Sequence, residues 1–201
     1  MVRSLREAKW QRQEQPVLSA VTTDEDWCTV QLYNPTVVRH RDRYMMWYVG
    51  NRSATRVSDM EIGLAESGDG IHFTPHPGNP VLRKEDLPAG TCWQTPHVMF
   101  DTDEDRFKMW FIMSAGEWNP DTGKVTVHMS DLGFATSFDG QKWEVYPEPL
   151  YAGGRRPCVI KDGPASYRMW MGAAPDREGA KVTDGVFRFV STDGLAWKRD
   201  S

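Results

Sequence analysis

The sequence has no helical period of useful length, no long run of like charge and no apolar stretch approaching membrane length. The first absence excludes a helical bundle. The second, with a net charge of -4, argues against a nucleic-acid or polyanion partner. The third excludes a transmembrane helix, so no membrane partner is expected. Residues Met1 to Gln15 are polar and show no signal peptide, so a cytoplasmic location is expected. Cys28, Cys92 and Cys158 are odd in number and lack metal-ligand spacing; they read as buried thiols in a reducing compartment. No phosphate loop, metal cluster or Ser/His/Asp order is present, so neither metal nor cofactor is expected.

What is present repeats. Ser67-Gly68-Asp69-Gly70-Ile71-His72-Phe73, Ser137-Phe138-Asp139-Gly140-Gln141-Lys142-Trp143 and Ser191-Thr192-Asp193-Gly194-Leu195-Ala196-Trp197 share the pattern Ser-x-Asp-Gly-x-x-aromatic. Asp-Gly between alternating apolar runs is a strong hairpin signal, because Gly accepts the positive φ that such a turn needs. Upstream of each copy lies an aromatic-x-Met-Trp strand, at Tyr44–Trp47, Phe107–Trp110 and Tyr167–Trp170. Further upstream, Pro35, Pro96 and Pro157 each open an apolar run, spaced 61 residues apart both times. A fixed period of this length is the signature of a repeat architecture.

The repeat divides the chain into the last strand of a preceding unit (1–18) and three units at 19–82, 83–150 and 151–201. Trp10 followed by Pro16-Val17-Leu18 matches Phe73 followed by Pro80-Val81-Leu82. Each full unit reads as four strands: one at the Pro, one at the aromatic-x-Met-Trp segment, one before the Asp-Gly turn and one after it. Tyr44, Met46 and Tyr48 face one side of their strand, Met45 and Trp47 the other, so both faces are apolar. Such a sheet must be sandwiched, and its neighbours in a β-propeller sandwich it.

Together with Ile62-Gly63-Leu64-Ala65 and Asn79-Pro80-Val81-Leu82, these motifs resemble the five-bladed β-propeller glycoside hydrolases, the arabinanase, β-xylosidase and invertase-like enzymes of families 43 and 32. The resemblance covers nearly the whole chain. It implies an all-β protein, a propeller of four-stranded antiparallel blades with three blades present, part of a five-bladed ring. It implies activity on a glycosidic bond of an oligosaccharide or polysaccharide. A truncated chain is further expected to associate through open blade faces. The family's catalytic carboxylates normally stand at the start of strand one of successive blades, often immediately before the Pro. Asn34, Thr95 and Arg156 stand there, and none is acidic. The turn also resembles the sialidase Asp-box, which has a residue between Asp and Gly that this one lacks.

Strand one is innermost in a propeller, so the residues before each Pro should line the central funnel. The expected ligand-binding residues are Tyr33, Asn34, Trp93, Gln94, Thr95, His97, Arg155 and Arg156, with Trp118 from the long segment 113–131, read as a loop. Trp27, Trp93 and Trp118 are placed in loops, where flat apolar faces suit sugar rings. Arg155 and Arg156 can clamp a carboxylate or phosphate. Glu117, beside Trp118, and Asp26, beside Trp27, are the candidate catalytic acids, since a carboxyl against an apolar ring can keep its proton. Three functions remain open: a glycosidase, or a related phosphorylase using the arginine pair; a non-catalytic carbohydrate-binding propeller; and a scaffold for protein partners.

Overall fold

The computed structural model describes residues 12–55, 57–174 and 184–200. It contains three four-stranded antiparallel sheets, each a meander. The first blade is β1 (Gln31–His40), β2 (Arg43–Asn51), β3 (Met60–Ser67) and β4 (Thr74–Pro75). The second is β5 (Cys92–Asp101), β6 (Arg106–Asn119), β7 (Lys124–Ser137) and β8 (Glu144–Val145). The third is β9 (Arg155–Gly163), β10 (Ser166–Ala173), β11 (Gly185–Ser191) and β12 (Lys198–Arg199). The fourth strands are only two residues long. The register repeats with the sequence: Tyr44 pairs with Ser67, Phe107 with Ser137 and Tyr167 with Ser191.

Strand one of each blade touches strand one of the next, β1 against β5 and β5 against β9. Between blades one and two, Trp47, Val49, Ile62 and Leu64 pack on Val98, Phe107, Met109 and Phe111. Between blades two and three, Trp110, Ile112, Leu132 and Phe134 pack on Val159, Tyr167, Met169, Met171 and Phe189. Each large apolar side chain so buried contributes roughly 1.5–3 kcal/mol. The far side of blade one is covered by the chain's own segment: Trp27 stacks on Tyr48 and lies over Gly50 and Gly63, where any Cβ would strike its ring.

The Asp-Gly turns are built alike. In the first, the Ser67 hydroxyl accepts from the Gly70 amide at 2.9 Å, and Asp69 accepts from the Ile71 and His72 amides at 2.8 Å. Gly70, Gly140 and Gly194 have φ of 78°, 76° and 77°, the left-handed region glycine tolerates. The turns also join the blades. The Gly140 carbonyl accepts two indole N–H groups, from its own blade's Trp143 at 3.1 Å and from blade one's Trp47 at 2.9 Å. Gly194 does the same for Trp197 at 3.0 Å and for blade two's Trp110 at 2.9 Å.

Several expectations need correction. Segment 113–131 is not a loop; β6 and β7 continue through it as a long twisted hairpin closed by Asn119, whose side chain accepts from the Asp121 and Thr122 amides. Trp93 and Trp118 therefore lie in strands, while Trp27 lies in a short 3-10 turn, Asp26–Cys28. Cys158 is exposed, because its strand position faces away from blade two. Residues 12–18 form no strand, and Trp10 lies outside the described residues.

Candidate functional site

The residues before the three prolines share one feature. Asn34, Thr95 and Arg156 have φ of 50°, 45° and 52°, in the left-handed region, and in each case strand one loses register with strand two there. Left-handed backbone at a non-glycine residue costs of order 1–3 kcal/mol and is retained where its surroundings over-determine it. The kink shifts the register of each strand one, whose entry stays paired with strand two of its own blade.

At these entries Tyr33 and Gln94 converge on one thioether. The Tyr33 hydroxyl donates to Met60 Sδ at 2.8 Å, and Gln94 Nε2 lies 3.6 Å from the same sulfur. Cys92 Sγ stands 4.0 Å from it. Burial, with Cys92 beside it, pushes the Tyr33 phenol above its ordinary value, so it is an O–H donor at neutral pH. Burial pushes the Cys92 thiol up to about 11, and burial together with Glu25 pushes Cys28 up to about 12. Neither is a nucleophile near neutrality.

Above Met60 opens a cleft of about 750 Å³. Its walls are the start of β1 (Gln31, Leu32, Tyr33), Asn51 at the end of β2, Pro16, Leu18, Ser19 and Ala20, and the hairpin residues Trp118, Gly123 and Val125. Trp118 is 37 % exposed. Gln31, exposed at the strand entry, pairs with Asn51, which is buried with its side-chain oxygen accepting from the Ser53 amide at 2.8 Å. Among the described residues, no carboxylate, ammonium, guanidinium or imidazole lines this cleft. The described residues therefore offer two aromatic side chains, the Gln31 amide and hydroxyls, and no charge.

The other expected residues fall elsewhere. Trp93 is fully buried, packs on Phe111 and donates to the Arg83 carbonyl at 2.8 Å, so it presents no face to a ligand. His97 bridges blades two and three through Val159 O at 2.9 Å; burial lowers its pKa against that bond. Thr95 Oγ1 and Arg155 Nε are buried with no hydrogen-bond partner, and Arg156 is exposed. Asn34 is half-buried at its kink.

The two candidate acids are not brought into one cleft. The Glu117 side chain is 84 % exposed on the hairpin, 3.7 Å from His128, because the strand alternation that sends Trp118 to one face sends Glu117 to the other. Asp26 lines a separate recess of about 440 Å³ on blade one with Glu25, Glu61 and Glu85. Glu61 there is paired with Arg52 at 3.3 Å and accepts the Lys84 amide at 3.1 Å. Asp131, its counterpart in blade two, accepts the Gly153 amide at 3.0 Å. Both acids tie down the segment leading to the next blade. Among the described residues no group of three or more His, Cys, Asp or Glu could hold a metal ion.

Gln31 was missed because strand one was started at Pro35, which left it in a loop. The signal for it was the continuation of β1 upstream of the kink, opposite the end of β2.

No family model matches the sequence, and no curated protein matches it. Solved structures do. The chain superposes on an exo-inulinase from Aspergillus awamori at TM-score 0.63 and 16% identity, over 95% of this chain and 40% of that one. For an endo-arabinase from Bacteroides thetaiotaomicron the values are 0.62 and 13%, over 89% and 64%. For a glycoside hydrolase of family 130, a family of mannoside phosphorylases, that targets β-1,2 mannosidic linkages in Candida mannan, they are 0.56 and 20%, over 87% and 50%. The chain thus spans about half the length of the solved structures it matches. At these identities the likeness establishes the fold, that of the β-propeller glycoside hydrolases.

Proposed function

We propose that this protein is a carbohydrate-recognising propeller whose ligand lies in the cleft between the start of β1 and the β6–β7 hairpin. The observation that carries the reading is the lining of that cleft. Trp118 and Tyr33 offer ring faces, Gln31 offers an amide, and the Tyr33 phenol stays protonated. Aromatic faces with a few placed hydrogen-bonding groups are what a sugar ring requires. The propeller fold, shared with enzymes that act on fructans, arabinans and mannosides, supports the ligand class.

Recognition without cleavage by this chain is the form the geometry favours. Glycosidic hydrolysis needs two carboxyl groups flanking the bond, roughly 5–10 Å apart. Among the described residues none lines the cleft, and Glu117 and Asp26 lie apart. The test is calorimetric titration with neutral fructo-, arabino- and manno-oligosaccharides, alongside hydrolysis of the matching aryl glycosides. Trp118→Ala should weaken binding about 10-fold or more, consistent with removal of an aromatic hot spot, while Glu117→Gln binds like wild type. Hydrolysis by wild type that Glu117→Gln abolishes would overturn the reading in favour of an enzyme with Glu117 as acid.

A further inference from the structure

We propose that the recess of about 440 Å³ on blade one binds a protonated primary amine that carries hydroxyl groups, an amino sugar in chemical class. The inference does not rest on the ligand reading of the cleft. It rests on a buried donor without a partner and on the surplus of carboxylates around it. Trp27 is 6 % exposed, and among the described residues its indole Nε1 has no hydrogen-bond partner. A buried N–H left unpaired is costly, so an oxygen that accepts from it is bound with advantage. The way the ring is laid down sets the direction of that N–H. Its Cζ3 lies over Gly50 and its Cζ2 over Gly63, so the benzo edge covers the two glycines. Nε1, on the Cζ2 side of the ring, is therefore on the Gly63 side. There the Asn79 side chain binds both backbone groups of Leu64, and Asn79 and Pro80 wall the recess together with Trp27.

The other walls carry charge. Glu25, Asp26, Glu61 and Glu85 line the recess against Arg52 and Arg83, four carboxylates to two guanidinium groups. Glu61 is held by Arg52 and by the Lys84 amide. Glu25 Oε2 accepts from the Tyr48 hydroxyl at 3.3 Å and from Asn79 Nδ2 at 3.5 Å, which fixes the carboxylate without neutralising it. Asp26 and Glu85 are exposed and have no ion pair among the described residues. Among the described residues no three of these acids stand so as to hold one metal ion. Their charge suits a protonated amine, and the indole N–H needs an oxygen on the same molecule. Pro77 and Pro80 add an apolar wall for ring carbons. Amine, hydroxyls and ring carbons on one small molecule describe an amino sugar.

The recess lies beside the cleft at one end of blade one. Arg52 follows Asn51, which walls the cleft, and Glu61 follows Met60 beneath it. No described residue lines both, so the two sites report separately. Trp27 reads the recess and Trp118 the cleft.

The test is an NMR titration of the whole chain with glucosamine, glucose and N-acetylglucosamine, each to about 50 mM, a range that saturates a weak small-molecule site. The Trp27 indole N–H signal is assigned from its ring's Overhauser contacts with Gly50 and Gly63. Glucosamine should move that signal in a saturable way and leave Trp118 fixed. Glucose and N-acetylglucosamine lack the positive charge and should bind about fivefold more weakly or fail to saturate. Asp26→Asn with Glu85→Gln should weaken glucosamine about fivefold. Both side chains are exposed, so this variant should fold, which circular dichroism checks. A Trp27 signal that stays fixed in all three titrations overturns the proposal and leaves the N–H to an ordered water. So does an equal response to glucose and glucosamine, or a double variant that binds glucosamine like wild type, because the carboxylates then play no part. Glucosamine that moves Trp118 and not Trp27 overturns it as well, since the amine then sits in the cleft.

Discussion

The two blade joints are built on one plan and finished with opposite chemistry. At the rim of the first, His40 and Met45 of blade one meet Phe100 and Phe107 of blade two. The His40 ring lies 4.2 Å from Phe100 and 5.1 Å from Phe107, centroid to centroid. At the rim of the second, the four corresponding positions hold Asp101 and Lys108 of blade two and Lys161 and Tyr167 of blade three. Asp101 is fully buried. It accepts from Lys108 at 2.9 Å, from Lys161, and from the Tyr167 hydroxyl at 2.8 Å. Burial by itself would raise its pKa, but Lys161, Lys108 and Tyr167 together hold the carboxyl well below the usual range. The indole-to-glycine bond is the same in both joints. The repeat therefore conserves the hydrogen bond that fixes blade spacing and leaves the rim free to vary, provided that every buried polar group there is satisfied.

The largest expected effect breaks the charged rim. Asp101→Ala removes the buried carboxylate shared by two ammonium groups, which keep only Glu104 and Asp103 as partners, and should cost about 3 kcal/mol in urea unfolding. His40→Ala, at the same position in the apolar joint, strands no charge and should cost clearly less. Next come the turns. A Cβ on Gly140 would stand 2.7 Å from Met45 and 2.8 Å from Trp47, whereas one on Gly70 meets only Tyr44 at 3.4 Å. Gly140→Ala should therefore cost about 3 kcal/mol, strain and crowding together, and Gly70→Ala about 1 kcal/mol from φ alone. Equal losses would mean that the turn in the joint is not packed as described.

Trp47→Phe and Trp110→Phe each remove one of two donors to a glycine carbonyl that keeps the other. Each should cost about 2 kcal/mol, with the two values alike. A large difference would show that the shared bond is not what the joints have in common.

The smallest effects are in pH. Asp101 has a folded pKa below its unfolded value, so its contribution is complete above about pH 4 and is lost as the pH falls below that. His97 is held neutral by burial, with a folded pKa below its unfolded value near 6.5, so its contribution also fades as the pH drops below about 6.5. Both lie in or beside the second joint. A thermal melting series from pH 7.5 to 3 should flatten near pH 6 in His97→Gln and below pH 4 in Asp101→Asn.

The repeat made most of the fold legible. Three turns of one pattern, three Met-Trp strands and three evenly spaced prolines mark the meanders and their order, because each signal has a local cause. The site was less legible. Residues 113–131 carry Gly116, Asn119, Pro120, Asp121 and Gly123, a composition that reads as a loop; cross-strand pairing from Gly116–Val127 to Asn119–Lys124 makes it a hairpin. Trp93 read as accessible because it precedes the kink, yet β5 begins at Cys92 and buries it. Tyr33 and Trp118 were found because they lie near the strand entry and the hairpin tip, but that they share a cleft depends on tertiary packing that no local pattern encodes.

The most direct measurement is an NMR titration that follows the indole N–H signals of the nine tryptophans as neutral oligosaccharide is added. The account predicts that the Trp118 signal moves in a saturable way while Trp47 and Trp110, locked to Gly140 and Gly194, stay in place. A titration in which Trp118 stays fixed while the joint tryptophans respond would contradict it.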